Sequence, residues 1–214
     1  MKNHIEKVID EVLNEYLGPA ITSDKRFVPV GVSNRHLHLS PEHLEMLFGR
    51  GYQLTPYRNL IQPGQYATKE TLTLVAGGGG VLENVRIIGP PRSNTQIELL
   101  LSDSIKLKIE APVRISGDIK RTPGITIVGK KGSVTIDEGV IIAARHLHLS
   151  LEEAADFGLK DGQTISARSI GPRAVVFENV VVRSGKAHRM EFHIDVDEAS
   201  ACCVSSGDMI EIIY

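Results

Sequence analysis

Tryptophan is absent from this chain of 214 residues, aromatic side chains make up only 5% of it, and cysteine occurs twice. Each shortage excludes something. So few aromatics leave no platforms of the kind on which single-strand nucleic-acid binders stack bases. Cys202 and Cys203 are adjacent, and neighbouring residues rarely bridge, so no disulfide framework is implied. They read as reduced, buried, inert thiols of a cytosolic protein, the rival being a reactive or metal-binding thiolate. A charge surplus is missing too: 24 Lys+Arg against 26 Asp+Glu leaves a formal net charge of -2. Neither nucleic acid nor an anionic membrane is therefore expected as the main partner. No apolar run approaches the length of a membrane span, and Lys2, Glu6, Lys7, Asp10 and Glu11 break up what a signal peptide would need. A nucleophile elbow and a Ser-His-Asp order are likewise missing.

What is present is 42% hydrophobic residues and 20 glycines, enough for one large core or two small ones joined by tight turns. Ile5, Val8, Ile9, Val12, Leu13, Tyr16 and Leu17 form one apolar stripe at helical spacing, ended by Gly18-Pro19. Such a helix needs its own domain, a second subunit or a partner protein to cover that stripe. Beyond it the pattern changes to short β-branched runs bounded by Gly, Pro or Asn: 27–32, 71–75, 81–88 and 175–182 read as strands. Gly77 to Gly80 lacks a following Gly-Lys-Ser/Thr and reads as a hairpin turn, not a phosphate loop.

A repeat organises the rest. Arg35-His36-Leu37-His38-Leu39-Ser40 recurs as Arg145-His146-Leu147-His148-Leu149-Ser150, each copy at the end of a strand. A short helix is expected after each, capped by Ser40 with Pro41 and stopped by Gly49, or capped by Ser150 with Glu153 and stopped by Gly158. Leu82-Glu83-Asn84-Val85 is echoed by Phe177-Glu178-Asn179-Val180. In extended backbone residues i and i+2 share a face, so His36 and His38 project together, as do His146 and His148. Each pair can reach one divalent metal at roughly 2.0–2.1 Å; the bland alternative is a polar stripe on a half-exposed strand. Glu98 stands in an otherwise apolar strand and either meets a cation or lies at a sheet edge in water. Taken singly, His193 reads as a structural histidine, while His4, His43 and His188 look like surface residues. Arg92, after the rigid Gly89-Pro90-Pro91 turn, suits recognition of phosphate or carboxylate.

From Val30 to Ala201 the chain resembles the PduL-type phosphate acyltransferases, or phosphate propanoyltransferases. The resemblance rests on both histidine repeats, Gln62-Pro63-Gly64-Gln65-Tyr66-Ala67, Gly89-Pro90-Pro91-Arg92 with Gln96-Ile97-Glu98, and the Ala111 to Gly117 segment. Thr122-Pro123-Gly124 and the segment His193 to Ala199 complete it. It implies a pair of β-barrels with a site for two divalent metal ions, zinc, in the crevice between them. By position, His36 and His38 match ligands of one metal, and Glu98, His146, His148 and His193 those of the other, with Arg92 holding phosphate. Where relatives commonly carry Thr-Asp-Ala-Arg, this chain has Ser102-Asp103-Ser104-Ile105, so an arginine is missing at Ile105.

The resulting expectation is a mainly β protein with two pseudo-symmetric barrels, short helices and an N-terminal amphipathic helix. The helix would take residues 1–20, the first barrel unit 21–135 and the second 136–214, with strand 27–33 crossing into the second. The resemblance implies a zinc-dependent phosphate acyltransferase that interconverts acyl-CoA plus phosphate and acyl phosphate plus CoA by direct attack of phosphate on the thioester. The rivals are a binuclear metal-dependent thioester or ester hydrolase and a scaffold with structural zinc. A homo-oligomer is implied, as is docking of residues 1–17 on microcompartment shell or core proteins. That docking would place the chain in a bacterial microcompartment lumen, the alternative being free cytoplasm.

Overall fold

The computed structural model describes residues 26–213; the amphipathic helix expected over residues 1–17 lies outside them. The β-branched runs become strands, in chain order β1 (Arg26–Ser33), β2 (His36–His38), β3 (Pro56–Asn59), β4 (Tyr66–Val75), β5 (Val81–Gly89), β6 (Gln96–Leu99) and β7 (Val113–Arg114). There follow β8 (Ile125–Val128), β9 (Ser133–Ile136), β10 (Val140–Ala143), β11 (His146–Leu149), β12 (Thr164–Arg168), β13 (Val176–Ser184), β14 (Glu191–Asp195) and β15 (Met209–Ile213). Among the described residues four short helices punctuate them: α1 (Pro41–Phe48), α2 (Leu101–Leu107), α3 (Leu151–Phe157) and α4 (Val196–Cys202).

Alternation decides which side chains go inside. Along β1, Val28 and Val30 are buried; along β2 and its exit, so are Leu37 and Leu39; along β11, so are Leu147 and Leu149. These apolar faces build two separate cores. One gathers Leu37, Leu39, Leu74, Ile87, Ile97 and Ile127, the other Val28, Val30, Leu147, Leu149, Val182 and Phe192. Around the second, β1-β14-β11-β13-β12-β15 closes into a barrel, because β1 pairs in parallel with β14 on one side and antiparallel with β15 on the other. Around the first, the order β7-β10-β6-β2-β5-β4-β8-β9, with β3 on β4, stays an open half-barrel.

The boundary between the units is not a point in the sequence. β1, at the N-terminal end, completes the barrel, and β10, expected in the second unit, pairs with β6 and β7 in the open sheet. A cut at 135/136 would strand β10 away from its hydrogen-bonding partners. The two departures are equivalent: each Arg-His-Leu-His segment leaves a strand of one sheet and enters the other. Both histidine pairs thereby start at the seam.

The local signals behave as their chemistry dictates. The Ser40 hydroxyl accepts from the His43 amide at 3.2 Å, with Pro41 in the first turn and Gly49 at the C-cap. Ser150 and Glu153 form a reciprocal capping box, at 3.1 and 2.7 Å, and Gly158 ends α3 at φ 65. Asn84 and Asn179, the two members of the weaker echo, both sit in left-handed conformation at φ 59. Gly77 to Gly80 turns the β4–β5 hairpin, with the Ala76 amide bonded to the Gly80 carbonyl at 2.8 Å. The cysteines correct one expectation: Cys202 is buried, but Cys203 is exposed, because it occupies the left-handed C-cap of α4 at φ 57, outside the helix face that packs on the barrel.

Candidate active site

The repeat generates two matching clusters. In the open sheet His36 lies opposite Glu98 on antiparallel β6; in the barrel His146 lies opposite His193 on antiparallel β14. Glu98 and His193 are thus equivalent positions of the duplication. Equivalence extends outward. Arg35 reaches Asp103, whose carboxylate also accepts from the Leu100 amide at the start of α2, at 2.5 Å, and Arg145 reaches Glu198, the acid of the α4 capping box. Each arginine ties its histidine strand to the helix that follows the third residue of the cluster.

Ligand atoms of His36, His38 and Glu98 lie within 4.8 Å of one another, and so do those of His146, His148 and His193. This grouping differs from the division that the resemblance implies, which puts Glu98 with the barrel histidines. Glu98 Oε2 stands 3.4 Å from His36 Nε2, and Oε1 3.8 Å from His38 Nε2. Register is the reason: β6 is hydrogen-bonded to β2, so Glu98 faces the β2 pair directly, although its charge also reaches His146. β6 is flanked by β2 and β10, and Glu98 is buried, so the edge-strand alternative is overturned.

The tautomers are set by backbone. Nδ1 of His36 faces the Asn34 carbonyl at 2.8 Å, that of His38 the Ile88 carbonyl at 3.1 Å, and that of His146 the Ala144 carbonyl at 2.7 Å. A carbonyl only accepts, so each Nδ1 carries the proton and each Nε2 presents a lone pair. His38 Nε2 is buried without a hydrogen-bond partner, as are Nδ1 of His148 and of His193. Nε2 of His146 and His148 approach to 3.0 Å, which two bare lone pairs tolerate only with a proton or cation between them. Burial, reinforced by His36 and Arg92, lowers the pKa of His38 to about 3. Burial and His193 lower that of His146 to about 4, and burial with His146 and His188 lowers that of His148 to about 2. Burial pushes Glu98 up, but the His36 and His38 imidazoles, the Ser116 hydroxyl and Arg92 outweigh it and hold the carboxyl at about 2. At neutral pH His38, His146 and His148 are therefore neutral imidazoles and Glu98 a carboxylate, the forms that divalent metals bind.

Arg92 enters from the Gly89–Pro91 turn, which contains a cis Gly89–Pro90 bond. Its amide is fixed on the Leu39 carbonyl at 2.9 Å, and Nη1 donates to Ser116 Oγ at 3.2 Å. Ser116 Oγ in turn donates to Glu98 at 3.0 Å and accepts from Gln96 Nε2 at 2.8 Å. Arg92 and the Glu98 cluster are therefore one hydrogen-bonded unit.

Several participants escaped sequence reasoning. His188, read as a surface residue, is half-buried and stacks on His148, with ring centroids 4.6 Å apart. His43 donates toward or accepts from Thr95 Oγ1 at 2.8 Å and is only partly exposed. Glu191 stands 3.6 Å from His193 Nδ1 and accepts from Gln62 Nε2 at 3.0 Å, a contact between the two units. Gln62 also accepts from the Arg189 amide at 3.2 Å. Only the strand register, which puts Glu191 opposite His148, could have pointed to it. A carboxylate behind a ligating imidazole orients the ring and raises its basicity, so Glu191→Gln is expected to weaken metal binding at the barrel cluster about 10–100-fold. Competition titration with a chromogenic chelator measures this; unchanged affinity would mean that Glu191 serves only the Gln62 contact.

A mainly β protein made by duplication, its seam holding two three-residue donor clusters beside an anchored guanidinium, is the kind of molecule that acts on small anions. The chain belongs to the phosphate propanoyltransferase family, whose members are phosphate acyltransferases and which it matches over residues 29–205. It is 48% identical to a phosphate propanoyltransferase of Thermotoga maritima over 86% of this chain and 88% of that protein. With the phosphate propanoyltransferase of Lachnoclostridium phytofermentans it shares 43% identity over 99% of both chains. With that of Priestia megaterium it shares 45% over 97% of this chain and 94% of the other.

Proposed function

We propose that the chain moves an acyl group, propanoyl or acetyl, between coenzyme A and inorganic phosphate, with two divalent metal ions, zinc by donor type, at the seam. His36, His38 and Glu98 would hold one ion and His146, His148 and His193 the other. The observation that carries this is the pair of three-residue donor clusters, one of them hydrogen-bonded through Glu98 and Ser116 to Arg92. When bound, the ions supply Lewis-acid stabilisation of charge on substrate oxygens.

The protein's own groups do the rest. Arg92, braced by Leu39 and Ser116, presents its remaining donors to phosphate oxygens and aims one of them at the thioester carbonyl. Two candidate nucleophiles are engaged elsewhere: the Cys202 thiol is turned to the Glu198 and Ala199 carbonyls, each at 3.5 Å, and the Ser116 hydroxyl is committed to Glu98. A phosphate oxygen then forms the new bond to the acyl carbon, the C–S bond breaks, and the phosphate proton ends on the released thiol. The reverse direction uses the same contacts. The apolar spacing of residues 1–17 supports docking on microcompartment shell or core proteins as part of the same reading.

A thiol-release assay with propanoyl-CoA tests the proposal. CoA release that rises with phosphate and saturates is expected; equal release without phosphate would indicate the hydrolase instead, and none in metal-replete protein would sink both. Arg92→Ala is expected to raise the KM for phosphate about 10–100-fold, the usual weight of a charge-assisted contact.

A further inference from the structure

Arg183 lies on β13, directly opposite His148 in the parallel register with β11. The equivalent strand of the open sheet is β5, where His36 is opposite Arg86 and Leu37 opposite Ile87. Counting along both pairs, Arg183 corresponds to Ile88, a buried apolar residue. The duplication is thus broken at this position by a cation, and the break falls at the site. Arg183 is only partly exposed, and Nη1 points across the seam to the Ser116 carbonyl at 3.5 Å, the long limit of a hydrogen bond. Arg92 donates to the hydroxyl of that same residue. Two guanidiniums, one from each unit, therefore converge on Ser116, and they are close enough that Arg183, after burial, lowers the pKa of Arg92.

Neither cation is neutralised. Among the described residues, no carboxylate comes within ion-pair distance of Arg92 or Arg183; the carboxylate nearest in effect, Glu98, is taken by His36, Gln96 and Ser116. Two half-buried like charges repel, and an anion with several oxygens between them relieves the repulsion and satisfies the remaining N–H donors.

We propose that Arg183 is the second arm of an anion clamp, gripping the transferable phosphate of inorganic phosphate or acyl phosphate between itself and Arg92. The inference rests on the phosphate acyltransferase reading and adds to it a residue from the opposite unit. Substrate would then bridge the open sheet and the barrel, so the anion is fully held only when the two units keep their mutual position. Arg183 touches the substrate's oxygens and takes no proton.

The test uses the full-length, metal-loaded protein. Arg183→Ala is expected to raise the KM for phosphate about 10–100-fold while the KM for propanoyl-CoA stays within about twofold, and Arg183→Lys to recover part of the loss. A phosphate KM within twofold of wild type in Arg183→Ala, with Arg92→Ala strongly raised, would overturn the clamp and leave the transferase reading standing. A wild type without phosphate dependence would instead overturn both. Because the alanine variant could fail to fold, phenylglyoxal modification of wild type followed by peptide mass spectrometry gives a second readout. Phosphate should protect Arg183 and Arg92 over the same concentration range, whereas protection of Arg92 alone would rule Arg183 out.

Discussion

His148→Ala is expected to lower bound divalent metal from two ions per chain to one and to reduce acyl transfer by more than the roughly 10–100-fold that the loss of an outer-shell partner costs. His148 has no substitute: its Nε2 is 3.0 Å from that of His146, its ring is stacked on His188, and alanine leaves His146 and His193 as a two-ligand remnant. The fold should survive, because the neighbouring Leu147 and Leu149, and not His148, fill the barrel core. Metal analysis by mass spectrometry, paired with the thiol-release assay and a thermal melt, separates the outcomes. Retention of both ions with full activity would show that the barrel cluster is not a metal site. Loss of activity with both ions retained would assign His148 to substrate instead.

Phe192→Ala is expected to be the most destabilising single truncation, costing about 3–5 kcal/mol. Phe192 is 0% exposed, lies opposite Leu147 in the register and packs its ring 5.7 Å from Phe177. Removing it opens a cavity that the closed barrel cannot collapse, since β14 is hydrogen-bonded to β1 on one side and β11 on the other. For a protein of this size the loss corresponds to a fall of roughly 6–20 °C in Tm. Urea unfolding should show a lower midpoint with an unchanged slope. Glu191 and His193 flank Phe192 on the strand's opposite face, so metal affinity at the barrel cluster should fall with stability; a Tm within 2–3 °C of wild type (roughly 1 kcal/mol) would contradict the packing.

Much of this was legible because it is local. The His-x-His faces, the Ser40 and Ser150 caps, the left-handed asparagine echoes and the Gly77 to Gly80 turn all depend on a few consecutive residues whose backbone preferences agree with one another. Their duplication announced two equivalent units. What pairs across long separations was not legible. Nothing in the spacing places Glu98 opposite His36 or His193 opposite His146, because register between strands tens of residues apart is decided by which apolar faces share a core. His188 and Arg183 look like ordinary loop and strand-edge residues until the seam closes around them.

From composition, periodicity and repeat alone follow a mainly β chain, two histidine pairs each on one face, and the capped helices that come after them. The family resemblance already carried β1 into the second unit; only tertiary packing decided that β10 stays with the open sheet, that one sheet closes while the other stays open, and that Glu98 faces the β2 histidines. It also brought Arg92 and Arg183 to a single serine. The physical reason is one of range: side-chain direction within a strand is set by neighbouring backbone dihedrals, whereas the partner of a strand is chosen by the burial and hydrogen bonding of the whole chain at once.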